Sequence, residues 1–337
     1  MILQKQIAEK AGVSYATVSR AFTHSAKVRP EKMKAIREAM KELGIDYEEE
    51  VFEHGGAASK LVLIVVGDIC TEFYAQIIEG IAKVLDDHSY SIALCNSGFK
   101  SDTELKSLIN AQNKGYAGVI MITATETDEL VKFIQHAAFP IVLVNRYLRS
   151  LDLDVVRIDN YRGGYIAAQH LIDRGHRRIA LLSGPRSSSA VDDRIRGFSH
   201  ACADCHVAFS EEKDLFIGDL SRECGKRFAG ILPEKDYTGV FITNNPMTVG
   251  AVHQLNKLGK HVPEDYSIVC FDDSALVGED GLNISSIGYE AKVMGTAAAN
   301  VFLQRLREPL CRHTKTIFSP VFIDRKSVKS LKESLAE

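Results

Sequence analysis

From Leu61 onward the chain repeats one unit, a short and almost wholly apolar run followed by a helix-length amphipathic stretch. The runs are LVLIVV (61–66), SIALCN (91–96), GVIMI (118–122) and PIVLVN (140–145). After VVRIDN (155–160) the rhythm starts again with RIALLSG (178–184), GVFIT (239–243) and SIVCF (267–271). Strands that are apolar on both faces belong to parallel sheets, because the crossover helices cover both sides. The spacing therefore predicts an α/β body of two similar doubly wound parallel-sheet lobes with a cleft between them. A chain of 337 residues, 45% apolar and 25% charged, is long enough for two or three such cores.

In open parallel sheets, ligands sit beyond the carboxyl ends of the strands. Here those ends are polar. LVLIVV leads to Asp68 and Phe73, PIVLV to Asn145 and Arg146, and IALLSG to PRSSSAVDDR with Arg194. GVFIT leads to Asn244 and Asn245, and SIVCF to Asp272 and Asp273. Asp and Asn accept from hydroxyls, Arg donates to adjacent ones, and an aromatic ring covers the apolar face of a sugar, so the set suits a small carbohydrate or related metabolite. Each residue also has a plainer reading. Asn245 followed by Pro246 suits a helix cap and first turn, Arg194 beside Asp192 and Asp193 suits surface ion pairs, Phe73 alone suits the core, and Asp272 and Asp273 suit a turn.

The first 44 residues differ from the body in charge. They carry nine Lys or Arg against four Glu, whereas residues 45–54 hold five acids and neither Lys nor Arg. A compact basic head on a mildly acidic body is the electrostatic footprint of a nucleic-acid module. Ile7, Ala8 and Ala11 mark a short helix, and GVS supplies a turn and a cap. A second helix runs from Tyr15 with Val18 and Phe22 inward, and a third opens at Pro30, carries Met33, Ile36, Met40 and Leu43, and stops at Gly44. This spacing predicts a helix-turn-helix over residues 1–44, whose second helix would enter the major groove. Its outward residues Tyr15, Ala16 and Arg20 are placed to meet bases or, for Tyr15, a phosphate; Thr17 and Ser19 are placed for phosphates.

The stretch IAEKAGVSYATVSRAF resembles the helix-turn-helix of the LacI/GalR (lac repressor/galactose repressor) family of bacterial transcription regulators. IDNYRGGYIAAQHLIDRGHRRIALLSGP and GKHVPEDYSIVCFDD are similar to that family's body motifs. Within the head, Gln6 replaces a usual aspartate, and Arg29 stands where Ser or Thr usually caps the third helix. The resemblance implies a periplasmic-binding-protein-like (type I) body over residues 60–337 with an effector between its lobes. Carried over by motif, the effector residues are Asn145, Arg146, Arg194, Asn244 and Asp272, with Phe73 in the segment that lines the cleft. Asn245 replaces a frequent aspartate, and Leu220 stands where some relatives place a stacking aromatic. The family's hinge helix, with its minor-groove leucine, has no counterpart in DYEEEVFEHGG. Four carboxylates at 48–53 would be repelled by the groove, so residues 45–59 are expected to form an acidic linker and to bend the operator weakly.

CADCH (202–206) has the spacing for haem attachment but falls within a helical pattern in a chain whose start lacks a signal-peptide stretch. No phosphate loop, dinucleotide fingerprint or nucleophile elbow is present, so no catalytic residue, cofactor or metal is expected. The C-terminal Val328, Leu331 and Leu335 share one helical face too short for a coiled coil by itself. Seven scattered cysteines and no apolar run of membrane-spanning length suit the cytoplasm and no membrane. The expectation is a regulator, repressor-like and homodimeric, of double-stranded operator DNA. The alternatives are a sugar sensor whose head no longer reads DNA specifically and, on fold alone, an enzyme.

Overall fold

The computed structural model describes residues 2–23, 28–43, 59–309 and 311–332. The head is three helices, α1 (Ile2–Lys10), α2 (Tyr15–Thr23) and α3 (Pro30–Glu42). Gly12 turns between the first two with φ +62°, and Ser14 Oγ accepts from the Thr17 amide at 3.2 Å, capping α2. Ile7, Ala8, Val18, Ala21, Val28, Ile36 and Met40 form the head's small core. Leu43, expected on the inner face, lies just past α3 and is exposed. Arg29 precedes α3 without a side-chain cap, and Pro30 takes the first helical position.

The body has two six-stranded sheets. The first holds β1 (Leu61–Val66), β2 (Ser91–Asn96), β3 (Gly118–Met121), β4 (Ile141–Val144), β5 (Asp154–Ile158) and β11 (Lys315–Phe318), in the order β2-β1-β3-β4-β5-β11 and all parallel. The second holds β6 (Ile179–Ser183), β7 (Leu215–Ile217), β8 (Gly239–Ile242), β9 (Ser267–Phe271), β10 (Ser285–Gly288) and β12 (Val321–Ile323). Its order, β7-β6-β8-β9-β10-β12, repeats the first, with only β12 antiparallel. In each sheet the order reverses at the first strand, between β1 and β3 and between β6 and β8. Crossovers leave such a pair on opposite faces and open a crevice at its carboxyl end.

The eight apolar runs are all strands, within a residue or two at their ends. The lobes are interleaved rather than consecutive. The chain passes to the second lobe after β5, returns after β10 to form α12 (Ala291–Arg307) and β11, and passes back for β12. The first sheet is covered by α4 (Glu72–Asp87) and α12, and on its other face by α5 (Ser101–Asn113) and α6 (Asp128–Gln135). The second is covered by α7 (Asn160–Asp173) and α8 (Ser189–Asp204), with α9 (Glu211–Asp214) short and peripheral, and by α10 (Arg222–Ile231) and α11 (Asn245–Lys257) opposite.

A close approach between two helices of the second lobe places Arg194. A Cβ on Gly164 of α7 would stand 2.1 Å from the carbonyl oxygen of Arg194, and one on Gly197 of α8 1.9 Å from that of Tyr161. The two helices therefore pack backbone to backbone, which only paired glycines permit. The CADCH motif falls at the end of α8, where Cys202 is buried in the core and burial pushes its thiol up to about 12. Residues 327–332 are not helical. Val328 is buried and Leu331 exposed, so they do not form one apolar stripe, and Leu335 lies outside the described residues.

Candidate functional site

The strands β4 and β9 occupy equivalent places in the two sheets, and each ends on a residue in the left-handed region, Asn145 at φ +65° and Asp272 at φ +69°. Asn and Asp are the non-glycine residues that best tolerate this conformation. Each still donates its amide to the neighbouring strand, Asn145 to Val156 O at 2.9 Å and Asp272 to Ile287 O at 2.8 Å. The chain thus bends sharply at matching points, and both side chains reach the cleft.

Arg194, held by the α7–α8 contact, is 4% exposed. Its Nε donates to Asn160 Oδ1 at 2.8 Å, its Nη1 to Thr243 O at 2.6 Å, and its Nη2 to Asp272 Oδ1 at 3.5 Å. The guanidinium lies 3.5 Å from the centroid of the Phe271 ring. Burial pulls the Arg194 pKa below its ordinary value, opposed by the Asp272 charge, and burial raises Asp272, opposed by Arg194. The two form one buried pair in which the carboxylate is the member that can neutralise. Arg194 is therefore an interior residue rather than a surface partner of its neighbours. Asp192 instead pairs with Arg149 and Arg186, and Asp193 with Arg157 and Arg196.

All six effector candidates, Phe73, Asn145, Arg146, Arg194, Asn244 and Asp272, line one cavity of about 180 Å³ between the sheets' carboxyl ends. Asn244 is committed elsewhere. It caps α11, with Oδ1 accepting from the Met247 amide at 3.1 Å and Nδ2 donating to Leu220 O at 2.9 Å. Asn245, expected to be that cap, is the first residue of the helix, and its Oδ1 accepts from Cys270 Sγ. The cap falls one residue earlier than expected, and Pro246 then sits at the second helical position, where its missing amide hydrogen is equally harmless. Asp273 also leaves the site. It takes Arg325 Nη1 at 2.7 Å and the Ser286 hydroxyl at 2.7 Å.

Among the lining residues that the sequence did not single out are Tyr74, Phe99 and Ser188. Tyr74 and Phe73 are consecutive on α4, with ring centroids 5.6 Å apart. Phe99 occupies the space a Cβ on Gly67 would need, 2.1 Å away, so the glycine after β1 admits the ring. Leu220 lines the wall and offers bulk without a π face. Three atoms in this wall are buried and lack a partner, namely Asn145 Oδ1, Arg146 Nε and Ser188 Oγ. Orphaned buried polar atoms cost about 1–3 kcal/mol each, and a polar ligand in this cavity could supply the partners they lack.

The second candidate surface is the start of α2. Tyr15 and Ala16 are exposed there, and the Thr17 hydroxyl is 2.8 Å from Ser14 Oγ, within the capping turn. The side chains of Ser19 and Arg20, and the acidic segment 45–58, lie outside the described residues.

Family models match both parts of the chain, "Bacterial regulatory proteins, lacI family" over residues 5–46 and "Periplasmic binding protein-like domain" over 168–328. Catabolite control protein A of Priestia megaterium is 30% identical over 277 residues, covering 80% of this chain and 82% of the relative. The chain belongs to the LacI family of bacterial regulatory proteins. Like its LacI-family relatives it is a transcriptional regulator and not an enzyme. Among solved structures it is similar to a transcriptional regulator CelR–cellobiose complex (TM-score 0.73, 26% identity, 96% of this chain and 99% of that one). A LacI family transcriptional regulator from Enterococcus faecium with bound ribose matches with TM-score 0.73 and 26% identity, over 81% of this chain and all of that one. Among the described residues of this LacI-family chain, no helix is long and apolar enough to cross a membrane, and no cluster of His, Cys, Asp or Glu could hold a metal ion.

Proposed function

We propose that this LacI-family regulator acts in the cytoplasm as a homodimer on a near-palindromic operator, and that a small carbohydrate or related metabolite bound between the lobes sets its DNA affinity. The head would span residues 1–44, an acidic linker 45–59, and the effector-binding and dimerisation body 60–337. Phe73, Asn145, Arg146, Arg194 and Asp272 are the residues we assign to the effector, with Asn244 acting through the α11 cap. Tyr15, Ala16, Thr17, Ser19 and Arg20 are assigned to DNA. The observation that carries the reading is the set of three unpartnered buried polar atoms around one cavity between the lobes. That the solved relatives hold cellobiose and ribose supports the ligand class. A ligand that binds two arrangements of the dimer unequally shifts the spacing of the heads; equal affinity would shift nothing.

Two measurements test this. In an operator-binding titration, Arg20→Ala should weaken the preference for the matched half-site by about 1–3 kcal/mol at one base position while weaker, salt-dependent binding persists. Unchanged discrimination between matched and altered half-sites would remove Arg20 from base reading. In the same assay Asp272→Asn, which keeps the left-handed backbone accessible, should bind operator normally and lose the effector response. A parental dose response in that variant would refute the pocket.

A further inference from the structure

We propose that the cleft ligand is an anionic carbohydrate, one whose carboxylate or phosphate seats on Arg146; this rests on the effector-cleft reading above. The charges on the cavity floor do not balance. Two guanidinium groups reach it, and both residues are more than nine-tenths buried. Arg194 is already balanced, because Asp272 lies 3.5 Å from its Nη2 and its other nitrogens are taken by Asn160 and the Thr243 carbonyl. Arg146 is not. Among the described residues, no carboxylate lies within 4 Å of its guanidinium, and its Nε is buried without a partner. The Phe99 ring meets it, 5.2 Å from ring centroid to guanidinium carbon, and Tyr74 lines the same wall.

The other acids nearby are engaged elsewhere. Asp68 accepts from the Cys70 amide and the Thr71 hydroxyl, and Asp219, at the exposed rim, accepts from Ser221 and lies 3.8 Å from Arg227. Glu104 is fully buried on α5 and feels Arg146 electrostatically, but its oxygens are held by the Thr123 hydroxyl and the Thr125 amide. A neutral sugar would satisfy hydrogen-bond donors of Arg146 but leave its charge uncompensated in a desolvated place. An oxyanion meets both needs, since the planar guanidinium fork can take two oxygens of a carboxylate or of a phosphate. The orphaned Asn145 Oδ1 and Ser188 hydroxyl remain to take the ligand's own hydroxyls.

The test is calorimetric titration of the full chain with matched neutral and acidic sugars: glucose against glucuronate and glucose 6-phosphate, galactose against galacturonate, and ribose against ribose 5-phosphate. At least one acid should bind about 100-fold tighter than its neutral twin, in line with a charge-assisted contact. In Arg146→Gln that advantage should collapse to within a few-fold, and Arg146→Lys should restore part of it. Wild-type binding of a neutral sugar as tight as its acidic twin, with operator release, overturns the anionic assignment and leaves the carbohydrate-sensor reading standing. An acid advantage that survives in Arg146→Gln overturns the role of Arg146. Failure of every pair to bind or to alter operator affinity counts against both readings.

Discussion

Arg194→Met is expected to destabilise the folded chain by about 3–5 kcal/mol, the scale of breaking a buried ion pair from one side. The loss does not come mainly from Asp272. That carboxylate lies at 3.5 Å, and burial already lifts its pKa, so it can take a proton when its partner goes. The loss comes from the two acceptors left behind, Asn160 Oδ1 and the Thr243 carbonyl, which sit 2.8 and 2.6 Å from guanidinium nitrogens. Each would be stranded where water reaches poorly. Contact with the Phe271 ring is lost as well. Arg194→Lys should recover only part of the stability, because an ammonium cannot span Asn160, Thr243 and Asp272 together. Urea unfolding of the full-length chain measures both. A cost below about 1 kcal/mol for Arg194→Met would mean that the acceptors find other donors, contrary to the packing described.

The second large effect concerns pH. His176 is buried; its Nδ1 lies 2.9 Å from the Thr238 hydroxyl and its Nε2 3.2 Å from Lys329 O. A carbonyl only accepts, so Nε2 carries the proton and Nδ1 accepts from Thr238. Burial pulls the histidine pKa down to about 4, assisted by the charges of Lys329 and Arg177 and opposed by the hydrogen bond to the Lys329 carbonyl. A base whose pKa falls on folding contributes stability above its unfolded value near 6.5 and loses it as pH falls towards 4. The loss should approach about 3 kcal/mol across that window. His170, also depressed chiefly by burial, acts in the same direction, whereas the raised carboxyls of Glu104, Asp193 and Asp272 act in the opposite one. The histidine is isolated by comparing unfolding free energies of the parent and His176→Gln from pH 7 to pH 4. The parent's curve should fall more steeply, and parallel curves would disprove the assignment.

Much of this architecture was legible because apolar strands buried on both faces announce themselves. What escaped is equally physical. β10 begins with Ser285 and Ser286, both fully buried, and these satisfy themselves on Asp324, Asp273, Arg325 and Ser327 rather than by apolarity. β7 is three residues long and half exposed, β11 is an edge strand whose alternate side chains face outward, and β12 is a three-residue edge strand. β10 and β11 carry no continuous apolar run, and the three-residue runs of β7 and β12 are too short to mark a strand. At the site, the polar residues that follow the strands lead to one cavity, which all six candidates line. The error at Asn244 and Asn245 was a shift of one residue in a helix start, which sequence periodicity does not resolve. Phe99 could not have been found by pattern. It lies after an edge strand, in the left-handed region at φ +59°, and reaches the site only because Gly67 lacks a side chain.

The interleaving of the lobes has a consequence for how the protein is made. The first lobe lacks α12, one of the two helices on that face, and its last strand until residue 318 has been synthesised, by which point most of the second lobe already exists. Its earlier strands must therefore wait, partly uncovered, while more than a hundred residues of another lobe are added, a pairing of high sequence separation and correspondingly slow closure. Neither half can be released intact by a single cut. A nascent chain that stalls before α12 leaves two incomplete sheets rather than one finished domain, and quality control would meet both open edges together.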